Sequence, residues 1–283
     1  MAQSQLATQT PVEVVAAPVD ITKLLTKTAD IEESFKTTFI NTDRSSQCFR
    51  WLDELRFVKQ CGRVVGPRDV GKSRSLIEYR ENNDNHVSYV RAWSNSSSKR
   101  LFSQILKDIN HAAPQGKQQD LRTRLAGSLG PFGIELLLID NADNLQPEAL
   151  MDLKQLHDES GVPIVLVGGQ LLDDRLCAYD LLTCFPTLFD FDRFELEDFQ
   201  ITLRTIEREI LKLPQTSNLS EGISFEILTI STDYRIGVLI KILVKAVLHS
   251  LKKGHSKVDE DILAHIASRY GRRYVPIEAR KDK

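Results

Sequence analysis

Two continuous apolar runs organise the chain: Leu136-Leu137-Leu138-Ile139, closed by Asp140, and Ile164-Val165-Leu166-Val167, closed by Gly168-Gly169-Gln170. Runs this short and unbroken are expected of strands buried on both faces. Candidate strands lie at 62–66, 86–92, 135–140, 163–168 and 188–194. Helical segments alternate with them. Arg74 to Arg80 can be helical, and a helix begins at Pro147, a favoured first-turn residue, burying Leu150, Leu153 and Leu156. The alternation predicts an α/β core, a mainly parallel sheet with helices on both faces. Ahead of the first strand, 30–58 reads as helical, with Phe35, Phe39, Phe49, Trp51, Leu52 and Leu55 as its apolar surface, placed to cover an adenine or the sheet edge.

Past residue 196 the strands stop. Phe199, Leu203, Ile206, Ile210 and Leu213 recur at helical spacing until Pro214. Ile236, Leu239, Ile240, Leu243, Val244, Val247, Leu248 and Leu251 hold the i, i+3, i+4, i+7 pattern, and Gly254 ends it. A last helix is expected from about 258 to 270. The expected organisation is a flexible N-terminal segment over 1–28, an α/β core over 29–195, a small all-helical domain over 196–270 and a basic tail over 271–283.

Composition excludes more than it suggests. At 41% hydrophobic and 27% charged residues, the 283-residue chain is ordinary for a globular protein. No apolar run approaches a membrane span and no basic–apolar leader stands at the N-terminus. Cys48, Cys61, Cys177 and Cys184 form no metal-ligand spacing and read as reduced thiols of a cytoplasmic protein. The formal charge of −2 announces no nucleic acid, so any DNA contact must be local.

One stretch carries chemistry outright. Gly66-Pro67-Arg68-Asp69-Val70-Gly71-Lys72-Ser73 reads G-x-x-x-x-G-K-S, the phosphate-binding loop of P-loop NTPases. Its glycines let the backbone turn N–H groups onto a polyphosphate, Lys72 reaches the β- and γ-phosphates, and Ser73 offers a hydroxyl to Mg²⁺. The following helix, starting near Arg74, aims its positive end at the same anion. ATP and Mg²⁺ are the implied cofactors. Asp140, ending a buried strand roughly 70 residues on, is placed to hold Mg²⁺ through its water shell opposite Ser73; the plainer alternative is an aspartate capping a strand end. In active ATPases of this kind a glutamate usually follows. Here it is Asn141, whose amide can orient a water but cannot take its proton, and Asp143 is the nearest substitute. Gln170 is either a γ-phosphate sensor or a core-edge amide.

Between 91 and 124 the chain carries Arg91, Lys99, Arg100, Lys107, Lys117, Arg122 and Arg124 against only Asp108 and Asp120. Such a local excess is enough for phosphate-backbone contacts, which need no base reading, and equally describes a solvated helix face.

With these motifs, Cys48-Phe49-Arg50-Trp51-Leu52-Asp53, Leu137 to Asp143, Val165 to Gly168, Leu211-Lys212-Leu213-Pro214 and Ser217-Asn218-Leu219, the chain over roughly 30–270 resembles the AAA+ family. Within it, the chain is similar to the TnsC/TniB family of transposition regulators, most like those of CRISPR-associated transposons. The resemblance implies an AAA+ core with a C-terminal helical lid. It implies ATP bound between neighbouring subunits, and homo-oligomeric rings or filaments around double-stranded DNA. It implies a link from TniQ and an RNA-guided effector complex to the transposase TnsB, which provokes disassembly. Lys99 and Lys117 align with positions that grip the DNA backbone in that family. Relatives carry an arginine finger where this chain has Cys184-Phe185, and a Gly-Arg sensor where it has Gly237-Val238; Arg175, Arg193 and Arg235 are nearby alternatives. A conventional AAA+ motor or a replication-initiator/clamp-loader-like ATPase needs fast turnover, against which Asn141 argues. A small-molecule P-loop kinase would carry an acceptor motif that is not evident.

Overall fold

The computed structural model describes residues 21–83 and 85–270. Its core is one five-stranded sheet in the order β2-β3-β4-β1-β5. The strands are β1 (Gly62–Val65), β2 (Val87–Arg91), β3 (Leu136–Asp140), β4 (Ile164–Gly168) and β5 (Thr187–Asp190). Every pairing is parallel. The expected α/β core is therefore present, with β5 ending four residues earlier than its candidate. Phe191, just past it, still donates its N–H to Val65 at 2.7 Å and is buried, so the apolar signal outlasts the regular pairing.

All five residues of β3 and of β4 are buried, because helices cover both faces. Alternation divides them. Leu137, Ile139, Ile164 and Leu166 join the core formed with α4 (Ser98–Asp108), α5 (Gln118–Leu129), α6 (Pro147–Ser160) and α7 (Gln170–Ala178). Leu136, Leu138, Val165 and Val167 face α2 (Asp43–Val58) and α3 (Lys72–Asn82).

The helix expected over 30–58 is two helices. In α1 (Ile21–Thr37), Ile31 and Phe35 pack into the C-terminal helical cluster, not onto the sheet. The chain then breaks, and Thr42 caps α2 by a reciprocal pair with Ser45, Oγ1 accepting the Ser45 N–H at 3.1 Å and Ser45 Oγ accepting the Thr42 N–H at 2.8 Å. Residues 21–28, grouped by sequence with a flexible segment, are the first turns of α1. Residues 1–20 and the basic tail from 271 lie outside the described residues.

The C-terminal domain is helical, as its periodicity predicts. It comprises α8 (Leu196–Thr205), a π-helical stretch (Ile206–Leu211), α9 (Gly222–Thr232), α10 (Ile236–Lys252) and α11 (Glu260–Tyr270). Helix α9 had no clear sequence signal, because Ser224, Ser231 and Thr232 share its buried face with Ile227 and Leu228. Among the described residues no helix is long and apolar enough to cross a membrane.

Leu138, fully buried in β3, reports the sheet's packing. Leu138→Ala should lower unfolding stability by about 2–5 kcal/mol, read as a lower urea midpoint at unchanged slope. Ile201→Ala, at a half-exposed position of α8, should stay within about 0.5 kcal/mol.

Candidate nucleotide site and its surroundings

The loop between β1 and α3 is held where no side chain fits. A Cβ on Gly66 would sit 2.0 Å from the Phe191 carbonyl oxygen. Gly71, with φ +106°, is the residue at which the chain turns left-handed to start α3. The backbone N–H groups of Arg68, Asp69, Val70 and Gly71 donate to no acceptor among the described residues. Unused donors just ahead of a helix N-terminus suit an anion. Lys72 Nζ folds back onto the carbonyl oxygens of Gly66 at 2.6 Å and Pro67 at 2.5 Å. Burial lowers the Lys72 pKa, and Asp140, Asp143 and Asp69 partly oppose that.

Asp140, at the end of β3, is 2% exposed and fully engaged. Its Oδ2 accepts from Ser73 Oγ at 2.7 Å and from the Tyr89 hydroxyl at 2.7 Å, with Arg91 Nε 3.7 Å away. Its Oδ1 accepts the Asn141 N–H at 2.8 Å. Parallel pairing sets Arg91 directly beside Asp140 and Tyr89 one pleat earlier on the same face. Burial and the neighbouring carboxylate push the Tyr89 pKa well above the usual phenol range, so it stays a donor. The sequence reading missed Tyr89, because nothing in a linear chain gives the register of β2 on β3.

The two candidate water-handling residues part company. Asn141, at φ 54°, lines a cleft beside β2 with Tyr89, Arg91, Trp93 and Asn144. Asp143 turns toward β4. Its Oδ2 accepts the Gly169 N–H at 2.8 Å, it lies against Gly168, and its charge is felt at Lys72. Asp143 Oδ1 is buried and has no hydrogen-bond partner among the described residues. A buried carboxylate oxygen with no donor fits a site built for a further polar group. Gln170 is exposed at the first position of α7. Arg74 donates to the Thr37 carbonyl at 3.2 Å and lies over the Phe39 ring, tying the α1–α2 link to α3.

Of the alternative arginines, Arg175 is engaged within its own chain, donating to the carbonyls of Asp143 and Leu145. Arg193 pairs with Asp233 at 2.8 Å, and Arg235 donates to the Thr232 carbonyl at 3.2 Å. The Cys184-Phe185 turn is clasped by buried Arg63, which donates to the Phe185 carbonyl at 2.6 Å and pairs with Asp173 at 2.6 Å.

The helical domain sits on the loop itself. Gly237 donates its N–H to the Asp69 carbonyl at 2.7 Å, and Lys241, one turn on, pairs with the Asp69 carboxylate at 3.0 Å. A Cβ on Gly237 would lie 2.9 Å from the Asp69 Cβ. Asp69 is left-handed, φ 66°, which aspartate tolerates better than most residues. Neither Lys241 nor this seat for Gly237 was legible beforehand, since nothing local says where α10 docks.

In the basic stretch, Lys99 stands in the first turn of α4 and Lys117 just ahead of α5; both are exposed. They make no ion pair among the described residues. Arg100 lies over the Trp93 ring. Arg122 and Arg124 are not free: Arg122 pairs with Asp152 and Glu159, and Arg124 donates to the Ala113 carbonyl at 2.6 Å.

Gly237→Ala should push α10 off the loop. Lys241→Ala should disturb it far less, because the ion pair is half-exposed and worth under about 1 kcal/mol. Hydrogen exchange at the amides of 66–71 and 236–241 checks this ordering.

Comparison with known proteins agrees with the geometry. A family model described as "AAA domain" matches residues 55–176. The chain is 28% identical over 139 residues to the Mu-like prophage FluMu DNA transposition protein B of Haemophilus influenzae, covering 49% of this chain and 48% of that protein. It is 26% identical over 155 residues to the ATP-dependent target DNA activator B of Escherichia phage Mu, covering 53% and 48%. The chain thus spans about half the length of the curated relatives it matches. Among solved structures, Cdc6p of Pyrobaculum aerophilum superposes with a TM-score of 0.69 at 15% identity, over 89% of this chain and 74% of that one, which speaks to fold alone. The chain therefore carries an AAA domain on the AAA+ P-loop NTPase fold, with homology to the B transposition protein of phage Mu.

Proposed function

We propose that the chain is an ATP-dependent, DNA-binding regulator of transposition that oligomerises on double-stranded DNA and engages a transposase there. The finer reading is a TnsC-like protein of a CRISPR-associated transposon. It would form a ring or filament in the cytoplasm and link TniQ and an RNA-guided effector to TnsB. The observation that carries the proposal is the junction of Lys72, Ser73 and Asp140 around a loop with unused amide donors, in a chain 26% identical over 155 residues to a protein named an ATP-dependent target DNA activator.

Residues Gly66, Pro67, Arg68, Asp69, Val70, Gly71, Lys72 and Ser73 would cradle the phosphates. Ser73 and Asp140 would hold Mg²⁺, Asp140 through water. Arg74 would flank the nucleotide, and Gln170 would stand at its phosphate end. Bound Mg²⁺-ATP supplies the anionic charge that four loop amides and Lys72 are arranged to take. Lys99, Arg100 and Lys117 would meet the DNA backbone, so binding should be indifferent to sequence and weaken steeply with salt. Negative-stain imaging with a plain duplex should show ordered assemblies with ATP and none without it. Lys72→Ala should abolish them; filaments from that variant would overturn nucleotide gating.

One observation favours genuine turnover as a second reading, that of a conventional AAA+ ATPase: the Asp143 carboxylate, whose charge is felt at Lys72, keeps one buried oxygen without a partner among the described residues. That oxygen can take a proton from an attacking water, which Asn141 cannot. Asp143→Ala should lower basal phosphate release at least tenfold, whereas Asn141→Asp should change it little. Loss with the Asn141 variant alone would assign the role to position 141.

A further inference from the structure

Trp93 is an exposed aromatic to which the account so far gives no role. Its indole is 58% exposed, unusual for a side chain this large. The loop that carries it is not loose. Ala92 donates to the Asp140 carbonyl at 2.8 Å, Ser96 to the Asn144 carbonyl at 2.9 Å, and Gln146 returns a bond to the Ser96 carbonyl at 3.0 Å. Asn144 Nδ2 reaches the Ala92 carbonyl at 3.4 Å, and Gln146 Nε2 reaches Asn95 Oδ1 at 3.2 Å. The 92–97 loop is thus stapled to the 141–146 turn, and Trp93 is presented outward from a rigid mount beside the Asp140 site.

The surroundings decide what it is presented to. The Arg100 guanidinium lies over the indole, 5.0 Å from the ring, forming one flat aromatic–cationic surface. Arg91 and Lys107, both exposed, line the same cleft as Trp93, and exposed Lys99 precedes Arg100 in the chain. Of the acids nearby, Asp140 is buried and takes donors from Ser73 and Tyr89, and Asp108 is turned inward, accepting from Ser88 Oγ at 2.7 Å and the Tyr89 N–H at 3.1 Å, with Arg80 at 3.6 Å. An aromatic face beside several cations, with the nearby acids satisfied internally, is complementary to nucleic acid, whose sugars and bases offer apolar surface inside an anionic rim. A protein partner of matching chemistry would need an acidic rim of its own.

We infer that Trp93, backed by Arg100, is a non-ionic contact to duplex DNA, lying against sugar and base edges while Lys99 and Lys117 take phosphates. The inference rests on the DNA-binding reading above and adds a residue, and a kind of contact, that charge alone does not supply. Its signature is distinct from that of a cation. Removing a phosphate-binding lysine reduces the slope of log affinity against log salt by about 1, whereas removing a non-ionic contact lowers affinity at all salts and leaves the slope alone.

The chain holds two tryptophans, and Trp51 is packed against Phe189, so a Trp51→Phe background isolates the Trp93 signal. Full-length protein with ATP is titrated with a mixed-sequence duplex at several salt concentrations. In the Trp51→Phe protein, duplex should quench the emission. Trp93→Ala should lose about tenfold in affinity with an unchanged slope, Trp93→Phe should recover most of it, and Lys99→Ala should flatten the slope. Unchanged emission, or wild-type affinity in Trp93→Ala, overturns this inference while leaving the DNA-binding reading in place. So does a Trp93→Ala defect in ATP-driven assembly without DNA, which would make the indole a subunit contact. A wild-type chain that binds no duplex overturns both.

Discussion

One carboxylate oxygen, Oδ2 of Asp140, joins three separate pieces of the chain. Ser73 reaches it from the first turn of α3, Tyr89 from the neighbouring strand, and Arg91 stands beside it. The carboxylate is buried, and a buried charge is tolerable only when donors and cations surround it. That requirement places the phosphate loop, β3 and β2 in fixed relation, and the rest of the site follows. The loop can curl as it does because Gly66 leaves room for the Phe191 carbonyl. The 141–146 turn hangs from Asp140, sending Asn141 toward one cleft and Asp143 toward the end of β4 at Gly168 and Gly169.

The helical domain adds a second level of organisation. It meets the core at Asp69, a residue of the loop itself, through a backbone bond from Gly237 and an ion pair from Lys241. Anything that reshapes residues 66–71 is therefore felt at the start of α10. Helix α1 extends the coupling, since Ile31 and Phe35 belong to the hydrophobic cluster of the helical domain while α2 belongs to that of the sheet. In physical terms, occupancy of the loop can be transmitted to the helical domain without a separate hinge.

Much of this was legible in the linear chain. The continuous apolar runs at 136–139 and 164–167 could be little else than buried parallel strands, and the glycine–lysine–serine loop names its own chemistry. Asp140 followed from its place at a strand end. What remained hidden depends on register and docking. Tyr89 enters the site only because β2 pairs with β3 in one register, and Lys241 only because α10 lands on Asp69. Arg122 and Arg124 look like surface charge in sequence, yet one pairs with acids of α6 and the other caps carbonyls of the 113–115 turn. Periodicity over 30–58 shows one helix where there are two, because the apolar residues run on through the break that Thr42 caps.

The account stands or falls on the polyphosphate grip. Calorimetric titration of the purified chain with ATP, with and without Mg²⁺, tests it most directly when paired with Asp140→Asn. The account predicts one saturable site per chain whose affinity rises with Mg²⁺ in the wild type but not in the variant. Heats that fail to saturate, or a Mg²⁺ effect that survives the loss of the Asp140 charge, would contradict it.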